Sequence, residues 1–234
     1  NEQRRIKDYM FLQCAINSVP RIAREFVASF DQYKYSPLYT LEGFLTSWDP
    51  DAKEFVKGNE DLGHYSFIIR GIIDMLERSR ELRGYLYGAQ DLGFLEGVEG
   101  FSRIGISSIV AHNPLTIKEL FIGALPDGLK AQVRDIAYDK RLANEAGNLF
   151  LDSFPRFRES RRFNLENFLK YFNVDREEFA HHRTQEGSYY HMQRRLQRAH
   201  GTKWLEGFYE LLDEPVKSRV MTLASEVGKK GTTE

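Results

Sequence analysis

Asn59-Glu-Asp-Leu-Gly-His-Tyr-Ser-Phe-Ile-Ile-Arg-Gly-Ile-Ile-Asp-Met-Leu76 carries the strongest structural signal in the chain. Leu62, Tyr65, Ile69, Ile72, Ile73 and Leu76 recur on one face at helical spacing, the pattern of a helix packed into a core. Asn59 fits the N-cap, and after a polar run to Arg83, Gly84 stands where a C-terminal stop belongs. Near the start, Glu60 and His64 lie four residues apart and so stack on one side. Only here does metal-ligand chemistry meet the most apolar helix. The stretch predicts a central helix in an all-α chain.

Toward the N-terminus, residues 3–17 form a helical pattern with Ile6, Met10 and Cys14 as its stripe. Pro20 suits the first turn of the next helix, whose apolar face is Ile22, Phe26, Val27, Phe30 and Tyr33. Ser36-Pro37 ends it. Thr40 is positioned to cap a helix from Leu41 to Trp48, and Asp49-Pro50 to open another that stops at Gly58.

Toward the C-terminus, the stretch Gly84 to Gly105 holds glycines 84, 88, 93, 97, 100 and 105. Leu92, Leu95, Val98 and Phe101 keep a helical rhythm, which predicts a kinked, tightly packed helix; no phosphate-binding glycine motif occurs there. Thr116-Ile-Lys-Glu119 reads as a capping box, with Leu115 and Leu120 as its staple. Asp127 to Asp152 reads as one long helix with Leu129, Val133, Ile136, Ala143, Ala146 and Phe150 inward, followed by a basic connector from Phe154 to Arg162. Asn164 is expected to cap Leu165–Phe172, Asp175 a helix through about Glu186, and Thr202 a helix from Lys203 to Leu212. Between them Ser188–His200 reads as a helix with Tyr189, Met192, Leu196 and Ala199 on one side, and Pro215 opens the last helix. No convincing period-two alternation occurs, so strands are not expected. The whole predicts an all-α, single-domain bundle of about ten helices over residues 1–227, with a disordered tail over 228–234.

Composition bounds the chemistry. The 234 residues are 41% hydrophobic and 29% charged, which makes the chain globular rather than disordered. A net charge of −1 argues against a general polyanion binder. Cys14 is the only cysteine, so an internal disulfide and a Cys-rich metal site are both excluded, in keeping with a reducing cytoplasm. No apolar run reaches the length of about 20 residues that a membrane helix needs. A cytoplasmic protein without membrane contact is expected. Charge is unevenly spread: residues 1–100 lean acidic, and 153–203 lean basic. That asymmetry allows a homodimer.

Three segments echo one another: Leu41-Glu-Gly-Phe…Lys53…Val56, Lys118-Glu-Leu-Phe…Lys130…Val133 and Leu205-Glu-Gly-Phe…Lys217…Val220. They begin at 41, 118 and 205, spacings of 77 and 87. A regular solenoid holds its period better. The echo is either chance similarity between amphipathic helices or a duplicated helical hairpin.

The first chemical constellation pairs acids with histidines. Glu60 with His64, and Glu178 with His181 on the helix expected from Asp175, each share a helix face. Two such helices, with Glu119 and Glu25 as further carboxylates, make the ligand set of helical di-iron proteins. Iron or manganese suits such ligation.

Glu60-Asp-Leu-Gly-His64, Asn164-Leu-Glu-Asn-Phe-Leu-Lys-Tyr-Phe-Asn-Val-Asp-Arg-Glu-Glu178 and Trp204-Leu-Glu-Gly-Phe-Tyr-Glu-Leu-Leu carry a distant resemblance to the haem-oxygenase-like helical proteins, among them thiaminase-type enzymes and non-haem di-iron oxidases. The closing ligand motif of that family is present only in part, as Glu178-x-x-His181, with Val174 where a histidine should stand. The resemblance implies a haem-oxygenase-like or related orthogonal bundle and a metal-dependent, non-haem iron oxidase or oxygenase acting on a small molecule, with Glu60, His64, Glu119, Glu178 and His181 as ligands. The alternative is a non-catalytic helical adaptor that binds a protein partner.

The second constellation is the basic segment from Phe154 to Lys203, where arginines alternate with Phe157, Phe163, Tyr189 and Tyr190. Such a surface can bind phosphates and stack bases, and Phe168, Phe172, Val174 and Phe179 echo helix-turn-helix spacing. Nucleic acid is the less favoured partner; an acidic protein surface meeting Arg194, Arg195 and Arg198 is favoured over it.

Overall fold

Two helix starts carry the same chemistry. In a computed structural model, which describes residues 10, 17–56, 65, 114–180 and 185–230, the Thr40 hydroxyl accepts the Gly43 N–H at 2.9 Å and the Asn164 side-chain Oδ1 accepts the Asn167 N–H at 2.8 Å. Each satisfies one of the orphan donors of a first turn. The helices they start are Leu41–Ser47, α2, and Leu165–Tyr171, α6. Both caps are as the sequence predicts.

Each of these helices leads into a hairpin rather than another helix. Strand β1 (Trp48–Asp49) pairs antiparallel with β2 (Glu54–Phe55), and β3 (Phe172–Asn173) with β4 (Glu178–Phe179). The Asp49 carboxylate accepts from the Asp51 and Ala52 N–H groups at 2.9 and 3.2 Å, and Asn173 Oδ1 accepts from the Arg176 N–H at 2.9 Å. Asp and Asn side chains that cap helices also fold turns by this same bond. Here Lys53 and Glu177 close the turns in the left-handed region, with φ of 54° and 49°. Tight hairpins therefore stand where helices were expected after Asp49 and Asp175. The helix-turn-helix spacing at Phe168, Phe172, Val174 and Phe179 belongs to one short helix and one hairpin.

The chain packs as two compact units, Asn1–Tyr33 with Leu38–Ala137, and Lys34–Pro37 with Tyr138–Glu234. In the first, helix α1 covers residues 17–28 and leads into a further turn, Phe30–Tyr33. Then come α2, the β1–β2 hairpin, α3 (Pro114–Gly123) and α4 (Asp127–Ala137). In the second, α5 (Lys140–Phe157) precedes α6 and the β3–β4 hairpin. After these come α7 (Tyr190–His200), a short 3-10 turn, α8 (Trp204–Leu211) and α9 (Glu214–Lys230). The described residues are mostly helical, as predicted, with the two hairpins as the exceptions.

The units are copies. Adding 124 to a residue number in the first gives its counterpart in the second: Thr40 and Asn164, Phe55 and Phe179, Tyr65 and Tyr189. Phe26, Phe30, Tyr33, Tyr39, Phe44, Trp48, Phe55 and Tyr65 all land on aromatic residues, an agreement that a 13% aromatic content does not produce by chance. The ring geometry repeats as well. Phe44 stacks on Trp48 at 4.8 Å and 22°, Phe168 on Phe172 at 4.4 Å and 20°. Phe26 stacks on Tyr39 at 5.1 Å, Phe150 on Phe163 at 4.9 Å. Tyr33 meets Phe55 edge-on at 5.5 Å and 83°, Phe157 meets Phe179 at 5.4 Å and 86°. Even the bond that ties each hairpin back to its helix recurs: the Val56 N–H donates to Ser47 and the Ala180 N–H to Tyr171, at 2.8 and 2.9 Å.

By α3 the offset has shortened to 87, so the first copy is 37 residues longer between Tyr65 and α3 (124 − 87 = 37). With that offset, Phe121, Leu125, Val133 and Ile136 correspond to Phe208, Leu212, Val220 and Leu223, and all eight are buried. The echo seen between Lys118 and Leu205 is thus part of a true duplication. The echo between Leu41 and either of them is not, since the counterpart of Leu41 is Leu165.

Other departures have local causes. The long helix expected from Asp127 to Asp152 is divided after Ala137, where Asp139 takes φ 63°. The expected connector begins late, because α5 runs through Pro155 to Phe157. Helix α3 begins at Pro114, which places Thr116 in the first turn rather than at the cap. Ala199 is exposed rather than on the inner face of α7. Helix α9 continues to Lys230, into the segment expected to be a disordered tail. The helix predicted around Asn59 lies outside the described residues, apart from Tyr65.

Candidate functional site

Each unit holds a buried tyrosine just after its hairpin, clasped by a carboxylate from its long first helix. In the first, Tyr65 donates to Glu25, which also accepts from the Trp48 indole N–H at 3.1 Å, while the Arg21 guanidinium lies 6.0 Å from the Tyr65 ring centre. In the second, Glu145 accepts from the Tyr35 hydroxyl at 2.6 Å and from the Tyr189 hydroxyl at 3.2 Å, and pairs with Lys34 at 2.6 Å. By register the counterpart of Glu145 is Arg21, and that of Glu25 is Leu149. The carboxylate has moved by one helical turn and still reaches the same tyrosine, since residues four apart share a face. Burial pushes the Tyr65 and Tyr35 phenols up, with further help from the carboxylate each one meets. Burial raises Tyr189 too, followed by the proximity of Tyr35 and Glu145. At neutral pH all three are therefore held as donors. In both clasps the hydroxyls and the carboxylate are engaged on one another, and the first also ties down its hairpin through Trp48.

The second unit also has a polar groove of about 380 Å³ between α6 and α7, with the first residue of α8 in its wall. Glu166 and Lys170 come from α6, Tyr190, Gln193 and Arg194 from α7, and Trp204 from α8. Residues 166 and 170 are one turn apart, as are 190 and 194, so each helix presents one row. Gln193 is only 3% exposed, yet its Oε1 has no hydrogen-bond partner among the described residues. A buried acceptor left unmade is costly and rare. Glu166 has no ion pair among the described residues. Burial pushes up the nearby Tyr209 phenol, and the Glu166 charge raises it further. On α7, burial and the Arg195 charge depress His191, against the pull of Glu186 at 3.6 Å.

Of the five predicted metal ligands, Glu119 and Glu178 lie among the described residues. Glu60, His64 and His181 lie outside them. Glu119 is exposed on α3 of the first unit, and Glu178 is on strand β4 of the second, near Arg176 at 4.0 Å. Glu178 thus stands on a strand and not on the helix expected from Asp175. Glu25 uses its two oxygens on Trp48 and Tyr65. No group of three or more His, Cys, Asp or Glu suited to a metal occurs among the described residues. Iron or manganese ligation finds no fit in this part of the chain.

The predicted basic trio divides. Arg195 is closed on Asp139 by a bidentate pair at 2.6 and 2.9 Å, so it is an internal strut that pins the turn before α5. Arg194 and Arg198 are exposed, one turn apart, and have no ion pair among the described residues. Sequence reasoning therefore found Arg194 but missed Gln193 and Trp204. The signal for Gln193 was a lone amide between Met192 and Leu196 on the inner side of an amphipathic helix. Among the described residues, no helix is long and apolar enough to cross a membrane. Comparison with models of known protein families, with curated proteins and with solved structures finds no match to this chain.

Proposed function

We propose that this chain is a non-catalytic interaction module, built from two copies of a helix–hairpin unit, that binds an acidic protein partner through the α7 face of its second unit. The observation that carries the reading is the exposed pair Arg194 and Arg198, which no carboxylate of the described residues neutralises. Neighbouring cations behave differently: Arg195 is closed on Asp139 and Arg156 on Glu177 at 2.7 Å. The fully bonded tyrosine clasps also support scaffolding over chemistry, because a catalytic group needs an unfilled reaction partner. An oxidase reading rests on Glu60, His64 and His181, which lie outside the described residues, together with Glu119 and Glu178.

The test is to isolate partners by crosslinking, purify the chief one, and titrate it into wild type and into Arg194→Glu/Arg198→Glu. Affinity should fall at least tenfold in the variant, with the fold intact by circular dichroism, because surface changes cost little stability. Wild-type affinity should weaken with salt as exposed pairs are screened. Equal affinity for both proteins overturns the reading. Tight binding of nucleic acid with a steep salt dependence replaces it.

A further inference from the structure

We propose that the groove between α6 and α7 is a peptide-binding site that takes an extended acidic segment, with Gln193 Oε1 accepting a backbone N–H of the ligand and Arg194 and Lys170 meeting its carboxylate. This rests on the interaction-module reading and gives it an address and a ligand chemistry.

Three observations lead there. The first is the orphaned Gln193 oxygen, on a side chain 3% exposed that lines the groove. That oxygen serves no bond among the described residues. The terminal torsion of glutamine is soft, so an arriving donor need only turn it. A carboxylate or phosphate oxygen cannot satisfy Oε1; an N–H can, and an extended peptide points one toward each side on every second residue. The second is charge. Lys170 and Arg194 are exposed cations on opposite walls, and Glu166 is an acceptor without an ion pair among the described residues. That combination suits a ligand with both acidic groups and N–H donors, which a peptide has and a simple anion lacks. Tyr190 and Trp204 add aromatic wall, and about 380 Å³ is within the range of small-ligand sites.

The third observation is the sequence of the other copy at the positions that line the groove. By the register of Tyr65 and Tyr189, Gln193 corresponds to Ile69, Lys170 to Thr46 and Tyr171 to Ser47. Glu42, the counterpart of Glu166, is tied to Lys118 at 3.3 Å, while the position matching Lys118 in the second unit is Leu205. The first copy closes its glutamate with an internal cation. The second leaves its glutamate open beside a buried amide. Arg194 and Glu166 keep like residues in the first copy, Arg70 and Glu42, whereas the buried amide and Lys170 do not; the duplicated scaffold does without those two, so they serve something outside it.

The experiment uses the full chain as bait for a phage-displayed library of random 12-residue peptides. Acidic peptides should be enriched, and the best synthetic one should bind Gln193→Leu and Arg194→Glu at least tenfold more weakly than wild type. Gln193→Leu should melt at the same temperature as wild type or higher, because it removes an unmade acceptor; a structural amide would instead lower it. If Gln193→Leu fails to fold, Gln193→Met takes its place. Peptides that bind every variant at wild-type strength overturn the site, as does enrichment of basic or purely apolar peptides, or of none. Full binding to Gln193→Leu with loss in Arg194→Glu/Arg198→Glu overturns the groove while leaving the basic-face reading standing. Loss in neither overturns both.

Discussion

The two units repeat a core and diverge at a surface. Phe44 and Phe168 sit at the centre of each, fully buried, and the ring neighbours of Phe44, which are Phe26, Trp48, Phe55 and Tyr65, all have their counterparts around Phe168. Away from the rings the copies part. One uses Glu25 and the other Glu145 to hold the same tyrosine; one salt-bridges its α2 glutamate and the other leaves its α6 glutamate beside a groove. Aromatic packing fixes relative geometry and tolerates few substitutions, whereas a hydrogen bond to a tyrosine is satisfied from any nearby carboxylate. Divergence has therefore run through the polar groups and spared the rings.

Deleting a central ring tests that equivalence most severely. Phe44→Ala and Phe168→Ala should each cost about 3–5 kcal/mol, the usual cost of deleting a fully buried ring. Urea denaturation of the two variants measures it. A cost for one of less than half that of the other would show that the cores are not equivalent.

A pH titration of stability separates the two clasps. Phenols raised in the folded state bind their protons more tightly there than in the unfolded chain. Their stabilisation is fully present below the ordinary tyrosine pKa of about 10 and is lost as pH rises above it. The second unit has two such phenols on one carboxylate and the first has one. Tyr189→Phe should thus flatten the alkaline fall in stability more than Tyr65→Phe. Chemical denaturation at stepped pH values from about 8 to 11, spanning that pKa, reads the difference, and equal slopes would show that the clasps titrate alike.

The mildest change concerns one hydroxyl. Helix α1 breaks at Ser29, where the Phe26 carbonyl accepts from the Tyr39 hydroxyl and from Ser29 Oγ, the latter at 3.0 Å. A continuous helix would offer that carbonyl to the Phe30 N–H. In the second copy Phe163 replaces Tyr39, has no hydroxyl, and α5 runs unbroken past Ser153. Tyr39→Phe should therefore heal the break. Amide exchange at Phe30 should slow, with a stability change of less than about 1 kcal/mol as one hydrogen bond replaces another. Unchanged exchange would assign the break to another cause.

Much of this was legible in the sequence. The caps at Thr40 and Asn164, the end of α7 at Gly201 and a last helix with Pro215 in its first turn follow from local chemistry, and local chemistry built them; the expected start of α7 at Ser188 gives way to Tyr190. Asp49 and Asn173 misled because a side chain that accepts from N–H groups two or three residues on serves a turn as well as a helix. Two-residue strands are too short to alternate, so periodicity could not reveal them. The duplication hides behind the Leu-Glu-Gly-Phe echo, whose glycine at position 43 is Asn167 in the true counterpart. The aromatic register alone would have exposed it. Gln193 escaped notice because nothing in a sequence tells a satisfied buried amide from an orphaned one.

Each copy also carries one of the two tryptophans, Trp48 in the first unit and Trp204 in the second. The second copy already places Phe172 where the first has Trp48, which makes Trp48→Phe the exchange the scaffold has itself accepted. The protein left behind has a single indole, in the wall of the groove. Its emission becomes a built-in optical label, reporting occupancy of that wall without any attached dye, while the reciprocal Trp204→Phe confines the signal to the first core. A pair of conservative exchanges thus turns a duplicated fold into two separately readable instruments.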